Sequence, residues 1–343
     1  MTIGIDVGGT SISGGLVTDE GEVLTVVTVA THRNGRGTAV ETVFTVVDDL
    51  LDTALKRAVP LTGVAIGLPG LIDVDKGMML SSQNFVPEFA QLPLAEDIRQ
   101  RTGLPAFVDN DVNMLALGEW MFGLGRGASS FVLLALGTGP GGGIIVGETL
   151  IRGHAGAGGE FGHVPVDLDG PLCRCGAHGC VSRYLSGSEI ARLGRQAALE
   201  APGSILLSMA GGDAEAITAA LVFAAATAGD AGATALVARV CQALGAALGV
   251  IVNTINPEII VVTGGVTTSL ARLEDEVRRH TARYALAAAL APTAIHLVPG
   301  DKRQTVRGGA ALVRYELARR QRRQRSGHGS EIGARIEPTT AEG

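Results

Sequence analysis

The stretch Thr2-Ile3-Gly4-Ile5-Asp6-Val7-Gly8-Gly9-Thr10-Ser11-Ile12 decides the fold. Thr2 to Val7 predicts a strand, Gly8-Gly9-Thr10 a tight turn, and Ile12 to Val17 a returning strand. Val23 to Val29, after the turn at Glu20-Gly21, predicts a third strand. The pattern then recurs. A strand from Phe131 to Leu136 runs into Gly137-Thr138-Gly139, and Gly143 to Val146 returns. Thr10 and Thr138 lie 138 − 10 = 128 residues apart. Two such hairpins at that separation predict a duplicated α/β domain with a cleft between its halves.

The chemistry of these turns follows from their composition. Glycines permit positive φ and carry no Cβ, so backbone N–H groups can converge on phosphate oxygens, and a threonine hydroxyl adds a donor. Neither turn is a Walker loop, because no Gly-Lys-Ser/Thr follows, and neither is a dinucleotide fingerprint opening a helix. Tight turns and close strand packing also use glycine, so one copy is weak evidence and two are stronger. Asp6, at the base of the first hairpin, suits a magnesium ion held directly or through water; a strand-end carboxylate is the plainer alternative. A third glycine pair, Gly264-Gly265, ends the apolar strand Ile259 to Thr263 after a helix expected over Ala235 to Val252. Ligands of α/β sheets gather at the carboxyl ends of strands, and a base and ribose fit there.

Between the two hairpins runs Pro105-Ala106-Phe107-Val108-Asp109-Asn110-Asp111-Val112-Asn113. It predicts a short strand ending at Val108 and a helix starting near Asp111, with Val112, Leu115 and Ala116 on one buried face. Asp111 suits the helix N-cap. The acids and amides at this strand end also suit hydroxyl recognition, one Asp accepting a proton from an attacking hydroxyl while positioning and electrostatics do the rest.

Cys173-Arg174-Cys175-Gly176-Ala177-His178-Gly179-Cys180 holds three of the four cysteines. Thiolates at this density, with two glycines to bend the chain, predict a zinc knuckle. Three clustered thiols pair badly as disulfides, and the chain opens on a strand with no secretory signal. For the fourth ligand His163, in Gly159-Glu160-Phe161-Gly162-His163, is favoured over His178, which is crowded between two of the thiols. The metal would then pin Glu160 and His163 in place. Cys241, in an alanine-rich helical pattern, reads as a core thiol.

The whole chain, 343 residues, has room for two domains. It is 46% hydrophobic and only 3% aromatic, so its cores must be built of Ala, Val, Leu and Ile. A net charge of −6 argues against nucleic-acid binding. The longest apolar stretch, Ala235 to Val252, is interrupted by Arg239 and Gln242 and reads as a buried helix with no membrane span, which makes a cytoplasmic location the expectation. From Arg319 the chain turns basic, then polar; residues 325–343 are expected to be a disordered tail.

These motifs resemble one family, the ROK sugar kinases and repressors of the actin/hexokinase-like superfamily. The resemblance rests on Asp6-Val7-Gly8-Gly9-Thr10, Gly67-Leu68-Pro69-Gly70, Asn110-Asp111-Val112-Asn113, Gly137-Thr138-Gly139-Pro140-Gly141-Gly142-Gly143, Gly158-Gly159-Glu160-Phe161-Gly162-His163, Cys173 to Cys180, and Gly264-Gly265, in family order over about residues 1 to 315. It implies two ribonuclease-H-like domains closing on ATP and a sugar: residues 1–110, completed by a C-terminal helix at about 303–320, and residues 111–302 with the zinc knuckle. It implies Asp111 as general base toward a sugar hydroxyl, usually the 6-OH, with Asn84, Asn110, Glu160 and His163 binding the sugar. His163, Cys173, Cys175 and Cys180 would hold structural zinc. Asp6, Gly8, Gly9, Thr10, Gly137, Thr138 and Gly139 would surround the phosphates and magnesium, and Gly264 and Gly265 the adenosine. The expected partners are small molecules, and the expected assembly a homodimer or homotetramer.

Three departures from the family pattern stand out. Cys180-Val181 is followed by Ser182, where the family usually has a glutamate contacting the sugar's 1- and 2-hydroxyl region. Ser11 stands where many glucokinases have lysine. Asn84-Phe85 is not followed by the common tryptophan. A site built to pair a hydroxyl discriminates strongly, so the first departure opens amino and modified hexoses of the kanosamine or N-acetylmannosamine type as substrates beside glucose. Polyphosphate stays open as a donor. The reading from another class is a sugar-binding regulator; ROK repressors carry an added N-terminal helix-turn-helix, which is not expected here because the sequence starts on the first strand.

Overall fold

The computed structural model describes residues 1–81, 86–201 and 203–325. The first half runs β1 (Thr2–Val7), β2 (Ser11–Val17), β3 (Val23–Ala30), α1 (Ala39–Lys56), β4 (Gly63–Leu68), a two-stranded ribbon of β5 (Leu71–Asp73) and β6 (Met78–Ser81), α2 (Leu94–Thr102) and β7 (Ala106–Asn110). Helix α3 (Asp111–Phe122) follows directly. The second half runs β8 (Ser130–Leu136), β9 (Pro140–Val146), β10 (Thr149–Leu150), α4 (Ser182–Leu185), α5 (Gly187–Glu200), α6 (Ile205–Met209), α7 (Ala219–Thr227), α8 (Ala231–Ile255), β11 (Ile259–Thr263), α9 (Thr267–Leu270), α10 (Glu274–Tyr284), α11 (Ala287–Leu290) and β12 (Ala294–Leu297). The last described element is α12 (Lys302–Arg325).

The duplication is visible in the sheets. Their orders are β3-β2-β1-β4-β7 and β10-β9-β8-β11-β12. In each, an antiparallel hairpin (β1–β2, β8–β9) is followed by two strands parallel to its first member (β4 and β7; β11 and β12). Both hairpin turns therefore lie at the carboxyl end of a central parallel strand, where ligands of α/β sheets gather.

Two strands run further than the sequence pattern predicts. β7 continues past Val108 to Asn110, because Asp109 and Asn110 pair in register with Gly67 and Leu68 of β4. β9 begins at Pro140 and not at Gly143, since Gly141 and Gly142 pair with Ala135 and Leu134. The helix expected over Ala235 to Val252 spans Ala231–Ile255, capped by Asp230, whose carboxylate accepts from the Ala233 N–H. It is long and apolar enough to cross a membrane by composition, yet it lies largely buried against α7 and α10. Cys241 is in that core.

Helices α3 and α12 pack tightly together between the sheets. Small residues allow it: a Cβ at Gly118 would stand 2.8 Å from the Gly308 Cα, and Gly309 crosses Gly4 of β1 at similarly short range. One core cluster joins Ala65 and Phe107 of the first sheet, Phe131, Leu133 and Val261 of the second, and Met114 and Leu312 of the two helices. Thus the chain's last described helix packs on its first strand.

Candidate active site

Every proposed phosphate-side residue lies at a strand's carboxyl end. In the first turn the Gly8 N–H donates to the Ser11 carbonyl at 2.9 Å, while Thr31 donates its hydroxyl to the Gly8 carbonyl and its N–H to that of Thr10. Gly8 and Gly9 are half-buried and Thr10 is exposed. In the second turn, nothing lies within 4 Å of a Cβ placed on Gly139, and Gly137 is nearly as open. The Gly137 carbonyl accepts from the Gly187 N–H that opens α5, and the Thr138 carbonyl from the Ser188 hydroxyl. Gly264 takes φ +108° and packs on the end of β8, while Gly265 faces open space.

The other glycines of the second hairpin do different work. A Cβ on Gly141 would meet Val112 of α3 at 2.8 Å, one on Gly142 would overlap Phe161, and one on Gly143 would overlap Ala116. Gly159 (φ +90°) and Gly162 would collide with the Gly142 and Pro140 carbonyls. The glycines of β9 and of the 158–163 loop are therefore a packing seam that presses Glu160 and His163 against the second sheet.

Asn110, not Asp111, is the N-cap of α3: its Oδ1 accepts from the N–H groups of Val112 (2.9 Å) and Asn113 (3.2 Å). Its amide donates to the Gly70 carbonyl at 3.2 Å, tying the helix start to the turn after β4. Two more of the four Asp/Asn side chains in this run are tied up within the fold. Asp109 is buried and salt-bridged to Arg152 (2.6 Å), and Asn113 donates to Asp109. Arg152 also pairs with the buried Glu316 of α12 (2.7 Å). The extra length of β7 is the reason, since it turns Asp109 inward.

Asp111 is left as the acid aimed at the cleft. Burial, then the charge of Asp6, then that of Glu160, raise its carboxyl to about 7, against the opposing hydrogen bond from the Val112 N–H. A base near neutrality is what proton removal from a hydroxyl calls for. Asp6 is itself buried and its carboxyl raised by that burial, an effect opposed by the ammonium of Lys302 3.6 Å away. Like charges at Asp6 and Asp111 make this end of the cleft a place that gains from a cation.

Glu160 and His163 lie side by side, carboxylate to ring nitrogen 4.0 Å, both partly exposed. The His163 Nδ1 faces the Cys173 sulfur at 3.7 Å, and the Cys175 and Cys180 sulfurs are 3.7 Å apart. All four ligand atoms lie within 4.8 Å of one another. A tetrahedral ion with Zn–S bonds of about 2.3 Å sets its sulfurs about 3.8 Å apart, so the residues fit zinc; a disulfide needs about 2.05 Å. The cysteines are free. The fold explains the geometry: Gly176 (φ +91°) and Gly179 (φ +64°) make the bends, and Pro165 bridges to Cys180. The His178 ring faces the Gly170 carbonyl instead (3.1 Å). Ser182 lies 3.4 Å, hydroxyl to sulfur, from Cys173. Asn84 lies outside the described residues, as do residues 326–343 of the expected tail.

The ROK family model matches residues 2–316. The chain belongs to the ROK family. Among ROK relatives, a glucokinase of Thermotoga maritima is 34% identical over 316 residues, 92% of this chain and 98% of that protein. A ROK glucokinase of Streptomyces griseus, solved with glucose and AMPPNP, superposes with a TM-score of 0.76 at 33% identity, covering 91% of this chain and 99% of that one. A ROK transcriptional regulator, homologous to the E. coli MLC protein, superposes at 0.79 with 26% identity and 92% and 78% coverage. The fold is thus the two-domain actin/hexokinase-like fold of ROK kinases. Motif reading did not find Lys302 or Arg152: both reach the site through tertiary packing, and neither sits in a motif.

Proposed function

We propose that this protein phosphorylates a hexose hydroxyl with ATP, glucose first among substrates and the 6-OH first among hydroxyls. It is an ATP-dependent sugar kinase of the ROK type. The observation that carries the reading is a half-buried Asp111 with a near-neutral carboxyl, facing Asp6 and Glu160 between two glycine turns. In this reading Asn110, Glu160 and His163, with Asn84, hold the sugar. Asp111 takes the hydroxyl proton as the sugar oxygen bonds to the γ-phosphorus and the bond to ADP breaks. Gly9, Thr10, Thr138 and Gly139 offer backbone and hydroxyl donors to the phosphates, Gly8 and Gly137 shape the two turns through their own N–H bonds to Ser11 and Gly139, and Gly264 and Gly265 leave room for adenosine. Asp6 suits magnesium, which would neutralise phosphate charge during transfer. His163, Cys173, Cys175 and Cys180 suit structural zinc, which would hold the Glu160 loop rigid. The protein works in the cytoplasm as a homodimer or homotetramer in this reading. A coupled assay of ADP release over hexoses, amino-hexoses and N-acetyl-hexosamines tests it; no turnover on any sugar with ATP refutes it.

A second reading, preference for an amino or otherwise modified hexose, is favoured by Ser182. Its short hydroxyl lies against the Cys173 sulfur, so no carboxylate projects from this position toward a sugar. The same panel separates the two readings through the ratio of kcat/KM values.

A further inference from the structure

We propose that Lys302 is a phosphate-binding residue of this kinase, holding Asp6 before nucleotide enters and turning to the phosphate tail afterwards; this rests on the ATP-kinase reading above. Lys302 is the first residue of the 24-residue helix α12. Its ammonium lies 3.6 Å from Asp6, and its side chain is half exposed to the cleft while that of Asp6 is buried.

The placement runs against the usual preference of helix ends. The N-terminal end of a helix carries partial positive charge and favours acids, yet the first turn of α12 has no acidic residue and opens on Lys302-Arg303. Arg303 is accounted for, since it donates to the Val23 carbonyl at 2.6 Å. Lys302 has only the Asp6 carboxylate among the described residues. An ammonium held by Asp6 alone among the described residues, at the base of the first glycine turn, is placed to take a phosphate lying on that turn.

The base of Lys302 is held from both sheets. Four residues on, Val306 is fully buried against Gly4 and Gly15 of the first sheet. Two residues before, a Cβ on Gly300 would stand 2.7 Å from Gly264 of the second. Asp301 caps the start, accepting from the Arg303 N–H at 3.0 Å. Only the side chain needs to move, and four methylenes allow the ammonium to swing by several ångströms. The first turn has no cation of its own. Ser13 pairs with Asp6 across the hairpin, so Ser11, two residues away, shares that face and presents only a hydroxyl.

Calorimetric titration of AMP, ADP and AMPPNP with magnesium into wild type, Lys302→Met and Lys302→Arg tests this. Lys302→Met should weaken ADP and AMPPNP by about tenfold or more, leaving AMP and sugar binding unchanged, and Lys302→Arg should recover most of the loss. Equal loss for all three nucleotides, or no loss, overturns the assignment. Nucleotide binding absent from wild type would refute the kinase reading itself, which separates the two failures.

Discussion

The turn after β1 and the turn after β8 hold equivalent places in two sheets of the same topology, but they carry different charge. Asp6 stands at the base of the first, faced by Lys302 and close enough to Asp111 to raise its carboxyl. The second has no acid at its base; its glycines continue into β9 as a seam for α3 and the 158–163 loop. Duplication supplied two similar cradles. One carries the charged end of the cleft, and the other packs as a support for α3 and for the loop that holds Glu160 and His163.

The largest expected effect lies on the supporting side. Structural zinc is worth on the order of 10 kcal/mol in small peptides, so Cys175→Ser or chelation should lower metal content, melting temperature and sugar affinity together. One metal equivalent retained in Cys175→Ser, by elemental analysis, would show that the four ligands are not a unit. On the charged side, Asp111→Asn should fold, bind sugar and lose about two or more decades in turnover. Near-normal turnover removes Asp111 as base.

The same residue sets the pH response. With the carboxyl at about 7 in the folded protein, kcat/KM of the free enzyme should fall below neutrality. For stability the sign is opposite. Folding favours the protonated acid, so stability is lost as pH rises from about 4, the ordinary carboxyl value, toward 7. Asp111→Asn lacks this loss, and its melting temperature should gain on wild type across that window. Parallel melting curves would contradict the raised carboxyl that burial, with the charge of Asp6, gives Asp111.

Two glycines 142 − 139 = 3 residues apart separate packing from binding. Gly142→Ala, overlapping Phe161, should cost about 1–3 kcal/mol, whereas Gly139→Ala, with open space around it, should stay within about 0.5 kcal/mol and weaken nucleotide instead. Equal melting temperatures would dissolve the contrast between seam and cradle. The smallest expected effect is at Ser182: Ser182→Glu should shift the glucose to amino-sugar ratio of kcat/KM by about tenfold toward glucose. An unchanged ratio would mean that this position serves the knuckle alone.

Much of this was legible because the signals are local. Gly-Gly-Thr and Gly-Thr-Gly between apolar runs dictate hairpins through backbone conformation, and three thiols within eight residues have few alternatives to one metal. Asn110 and Asp111 were legible as a strand-to-helix junction, but not their division of labour: the cap belongs to Asn110, because β7 runs two residues further than Val108. Asp109 looked like a partner in hydroxyl recognition, and its burial against Arg152 depends on a residue 43 positions away.

The sequence by itself determined the doubled hairpin, the clustering of three thiols and which acids stand near the glycine turns, since turn chemistry, side-chain type and short spacing act within a few residues. Only the tertiary structure decided which acid faces the cleft, which glycines are seams, that His178 turns away from the thiols, and that Lys302 meets Asp6. Those outcomes depend on strand register and on α12 returning to β1. Such contacts join residues from 8 positions apart, as His178 and Gly170, to 302 − 6 = 296 apart, as Lys302 and Asp6, and no local pattern encodes them.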